Sequence, residues 1–82
     1  MKKELVEQVV EEARNSESNL VIWDERDTFT VEPEDLQELE VADDYLKVKM
    51  QDGRATIYIE FEAIYKLVVN KERSRAGFGL SG

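Results

Sequence analysis

Eighty-two residues, 41% apolar and 37% charged, suffice for one folded domain; they are too apolar for a disordered chain and too polar for a membrane-embedded one. The formal net charge of −8 opposes binding to nucleic acid or anionic lipid and favours a protein or cationic partner. With neither cysteine nor histidine, the chain has no disulfide, no thiolate and no imidazole, so packing alone must hold it together and no zinc, iron or copper site is expected.

Residues 2–15 read as an amphipathic helix. Leu5, Val6, Val9, Val10 and Ala13 fall on one stripe, and Glu4, Glu7, Glu11, Glu12 and Arg14 fill the other side. A polar cluster of Asn15, Ser16, Ser18 and Asn19 ends it. Residues 20–24 are short, β-branched and aromatic, as a strand requires. Leu20 and Ile22 would face one way and Val21 and Trp23 the other, which predicts a strand covered on both sides, with the helix over one of them. A polar turn at 24–27 leads into a second strand over 28–32, with Phe29 and Val31 inward.

Pro33 lacks a donor for a strand ladder and has its φ preset for a helical turn, so 33–36 is expected to be a single turn. Leu39 and Val41 then alternate with acids as a short edge strand would, the alternative being a second small helix from Glu34 to Leu39. The clearest pattern lies at 45–62. Leu46, Val48 and Met50 alternate with Lys47 and Lys49, Asp52-Gly53 supplies a turn, and Ala55, Ile57, Ile59 and Phe61 alternate with Thr56, Tyr58 and Glu60. This is a β-hairpin with Ile57 at the centre of its inward face, and with the two lysines placed to pair with acids such as Glu60. Glu62-Ala63 breaks the alternation just before a last strand over 64–69.

The expected fold is therefore α+β: an N-terminal helix on an antiparallel sheet of about five short strands. Helix, hairpin, hairpin, tight link and last strand are the ingredients of a small barrel, and in architecture alone the order resembles SH3-like and Sm-like barrels. The glycine that Sm-like proteins usually carry inside the second strand is missing from 28–32. Residues 1–70 should form the single folded domain. Residues 71–82 change sign and composition: Lys71, Arg73 and Arg75 stand against Glu72 alone, among Gly77, Gly79 and Gly82, as in a flexible basic tail.

No catalytic constellation emerges. The serines fall in expected loops or the tail with no histidine to activate them, and carboxylate pairs are available in any acidic protein, so the chain is not expected to be an enzyme. The acidic clusters at 24–27, 32–35 and 43–44 lack the alternating spacing and glycine of a calcium loop, so no metal or other cofactor is expected. The longest apolar runs, 20–23 and 67–69, are far below the roughly 20 residues of a bilayer span. Together with an N-terminus that has no apolar signal core, they give a cytoplasmic expectation.

What remains for function is recognition. Trp23, Tyr45, Tyr58 and Tyr65 are the aromatics able to leave the core face and form a platform, and Arg73, Arg75 and Phe78 offer charge and an anchor in the tail. The leading expectation is a non-catalytic module that binds another protein, or a second copy of itself, through a sheet edge, a helix face or the aromatic face. The alternatives are an Sm-like barrel in an oligomeric RNA-binding assembly, and an acidic mimic that blocks a nucleic-acid-binding protein.

Overall fold

The computed structural model describes residues 1–50 and 53–71, and the α+β reading holds. Helix α1 (Lys3–Asn15) is followed by strands β1 (Asn19–Asp24) and β2 (Thr28–Val31) and by one helical turn, α2 (Pro33–Leu36). Then come β3 (Glu40–Val41), β4 (Tyr45–Met50), β5 (Ala55–Glu60), a 3₁₀ turn (Phe61–Ala63) and β6 (Ile64–Asn70). Among the described residues the strands form two antiparallel sheets of three, ordered β2-β1-β6 and β3-β4-β5. No ladder joins them, so the barrel is not closed.

Local chemistry explains the breaks. Pro33 opens α2 at its first turn, where its missing N–H has no helical partner to lose. At the other end of α1, Ser18 N–H reaches the Ala13 carbonyl at 3.0 Å and Glu17 N–H the Arg14 carbonyl at 3.1 Å. This Schellman pattern needs a left-handed residue between helix and strand, and Glu17 fills that place with φ 53°. Gly53, in the β4–β5 turn with φ 84°, supplies the positive φ expected there; Asp52 of the same turn lies outside the described residues. The break after β5 is the 3₁₀ turn, tied down by Phe61 N–H donating to the Asp44 carbonyl at 3.0 Å.

One core serves helices and sheets together. Val6, Val10 and Ala13 of α1 join Leu20, Ile22, Val31, Leu36, Leu39, Leu46, Val48, Ile59, Phe61 and Ile64 in a single buried cluster. Register accounts for this membership: Leu20 opposes Val31 and Val69, Ile22 opposes Phe29 and Leu67, and Leu46 opposes Ile59. Arg14 fastens α1 to α2, its Nε donating to the Leu36 carbonyl at 2.9 Å and its second guanidinium nitrogen to that of Leu39 at 2.5 Å.

Four expectations change. Leu5 is 46% exposed, because the buried stripe of α1 is the narrower one through Val6, Val10 and Ala13. Ile57 is only partly buried although Val48 directly opposite it is buried: Ile57 lies on β5, an edge of its sheet. Glu60 opposes Tyr45, Lys49 opposes Thr56 and Lys47 lies between Tyr58 and Glu40, so the acid directly across from a lysine is Glu40 of β3 rather than Glu60. Finally, β1 is not sandwiched. Helix and core lie on the same side, with Leu20 and Ile22, and among the described residues no helix lies on the side bearing Val21 and Trp23.

Candidate functional site: two aromatic sheet faces

The face of β2-β1-β6 over which no described helix lies follows from its register. Val21 opposes Thr30 and Val68, and Trp23 opposes Thr28 and Lys66, so these six side chains share one side of the sheet. At the Asp24 end the ladder slips: Trp23 pairs with Lys66 and Asp24 with Ile64, leaving Tyr65 as the extra residue of a β-bulge. Such an insertion bends the strand and re-aims a side chain. Here it puts Tyr65, 61% exposed, beside the indole, with ring centroids 6.4 Å apart at an interplanar angle of 57°.

Lys66 completes the group. Its Nζ lies 4.4 Å from the Trp23 ring centroid, a cation–π contact that also covers one face of the indole. The indole Nε1 is buried with no hydrogen-bond acceptor, although the tryptophan as a whole is only half-buried. Just beyond Trp23, the Asp24 carboxylate accepts the backbone N–H groups of Asp27 at 2.7 Å and Arg26 at 2.8 Å, closing the turn to β2. Those two bonds, that from Asp27 first, hold the Asp24 carboxyl below the ordinary aspartate value of 3.8.

The other two aromatics lie elsewhere. Tyr45 and Tyr58 pair diagonally on the outer face of β3-β4-β5, centroids 5.9 Å apart, with Lys47 Nζ 5.9 Å from the Tyr58 ring. Tyr58 is 62% exposed. The single aromatic platform expected from sequence is therefore two separate pairs, one on each sheet. Arg73, Arg75 and Phe78 lie outside the described residues. Lys66 and Lys47 are contributors that the sequence pattern does not single out: only register puts them over rings.

Acidic groups gather in two places, one of which includes Glu60, the residue opposite Tyr45. Glu4, Glu7 and Glu11 are exposed on α1 at the spacing of one helix face. Asp43, Asp44, Glu60 and Glu62 line a cavity of about 330 Å³ with Met1, Lys3 and Phe61. Lys3 donates to Asp43 at 3.1 Å, a bond that raises the lysine's pKa. Among the described residues no three His, Cys, Asp or Glu side chains converge as metal ligands would, and no helix is long and apolar enough to cross a membrane. Compared with the models of known families, with curated proteins and with solved structures, the chain matches none.

Proposed function

We propose that the protein is a non-catalytic, cytoplasmic interaction module that binds another protein through the outer face of β2-β1-β6. The observation that carries this reading is the bulge in β6. It leaves a large aromatic ring standing out beside Trp23, on a sheet face with no described helix over it, where a buried position would have been the cheaper place for that area. Tyrosine and tryptophan supply rigid contact area at little entropic cost, and Val21, Val68, Thr28 and Thr30 extend the surface around them.

The RNA-binding alternative has less support. A base seeking the indole would have to displace Lys66 from one face of it, and the net charge opposes a phosphate backbone. Binding of single-stranded RNA at low salt, lost in Tyr65→Asp, would favour that alternative instead. The acidic-mimic reading rests on one short row of three carboxylates on α1.

The test compares proteins captured by the native chain with those captured by Tyr65→Asp and Tyr58→Asp. Both side chains are more than half exposed, so both variants should keep the native circular dichroism spectrum. A partner retained by the native chain and by Tyr58→Asp but lost by Tyr65→Asp is the expected result. Identical capture by all three would refute the assignment of this face.

A further inference from the structure

Beyond the aromatic face, we infer that the open edge of β6 pairs antiparallel with β6 of a second copy of this chain. Within the described residues β6 has one neighbour, β1, so a seven-residue strand leaves its other edge unpaired. Open edges are templates for another strand, and proteins usually blunt them with proline, short length, bulges or charge. Two of the three other edges among the described strands are blunted by their length. On the same sheet β2 has four residues and ends two positions before Pro33; on the other sheet β3 has two, and β5 has six and ends in Glu60. In β6 the bulge and the lysine sit at the start, and Leu67, Val68, Val69 and Asn70 follow with no charge, no proline and no irregularity.

Charge and register favour a second copy as the occupant. The chain carries −8 overall, yet residues 64–71 hold two lysines and no carboxylate, so two acidic bodies can approach along this edge without acids meeting. A two-fold axis through Val68 places Val68 opposite its own copy, Leu67 opposite Val69 and Lys66 opposite Asn70. Only the regular part of the strand is then used, apolar residues meet apolar ones, and no lysine faces a lysine. Moving the axis to Lys66 would set two ammonium groups against each other, and moving it to Leu67 would draw the bulge into the ladder.

Residues directly opposite share a side of the sheet, so the dimer joins two three-stranded sheets into six strands, with Trp23, Tyr65 and Lys66 of both copies on the same side. Five paired residues span about 17 Å. That is a small contact beside the roughly 800 Å² per partner of a standard interface, so the dimer should form reversibly and depend on concentration. Leu67 and Val69, now partly buried at the rim of the core, would lose their remaining exposure.

Sedimentation equilibrium of the full chain from micromolar to millimolar concentration is the test, with Val68→Lys, Val68→Glu and their equimolar mixture. Val68 is 36% exposed, so each variant should stay folded, which circular dichroism checks. The native chain should pass reversibly from monomer to dimer, each variant should remain monomeric, and the mixture should recover the dimer by setting lysine against glutamate. A native chain monomeric throughout, growth beyond dimers as in head-to-tail pairing, undiminished dimers in either variant, or a mixture that stays monomeric would each overturn the proposal. Tyr65→Asp capture is read separately, so loss of the dimer and loss of the aromatic-face reading are distinguishable.

Discussion

Removing the guanidinium of Arg14 should loosen the joint between the two helices. Its Nε bonds the Leu36 carbonyl at 2.9 Å and its second nitrogen the Leu39 carbonyl at 2.5 Å. The Leu36 carbonyl ends a single-turn helix and also accepts Leu39 N–H at 3.3 Å, the Leu39 carbonyl lies three residues beyond that helix, and the side chains of both are in the core. Arg14→Met keeps most of the aliphatic stem and removes both donors. A hydrogen bond to a charged group contributes about 1.5–3 kcal/mol net where water is excluded. Arg14 is half-exposed, so water can replace part of both bonds, and the expected loss for the pair together is about 2 kcal/mol. Each kcal/mol shifts the midpoint of a domain this size by about 4–8 °C, so thermal unfolding should move down by roughly 8–16 °C. Urea denaturation should show a lower midpoint at unchanged slope. Arg14→Lys keeps the charge but lacks the fork, and should recover only part of the loss. A methionine variant within about 0.5 kcal/mol of the native chain would refute this account of the joint.

Two further substitutions probe the local chemistry. Glu17 sits at a left-handed position that glycine occupies without strain, so Glu17→Gly should stabilise the domain by about 0.5–1 kcal/mol in urea denaturation; a destabilised variant would show that the side chain contributes more than its backbone strain costs. Asp24 has a folded pKa below its ordinary value of 3.8, so its contribution is complete above that value and disappears as pH falls through the lower, folded one. The stability gap between the native chain and Asp24→Ala should accordingly be constant near neutrality and close below pH 3.8, and a gap unchanged into strong acid would contradict the role of its two backbone bonds.

Elements with a strong local period are legible in the sequence alone. The alternation from Leu46 to Phe61 determined β4, β5 and the inward set Leu46, Val48 and Ile59, because a strand's side chains can only alternate. Pro33 marked α2 for an equally local reason, the preset φ of its ring, and Glu62-Ala63 marked the turn into β6 by breaking the period.

What the chain pattern left open was decided by pairing between distant segments. Val21 and Trp23 are as apolar as Leu20 and Ile22, and their alternation is blind to which side receives the helix; only the shared cluster with Val6, Val10 and Ala13 put α1 on the Leu20 side. The four candidate aromatics look alike in sequence, yet the ladders divide them between two sheets. Tyr65 stands beside Trp23 because β6 slips by one residue against β1, more than forty positions away, and a slip between strands is a property of their pairing that neither strand's own sequence contains.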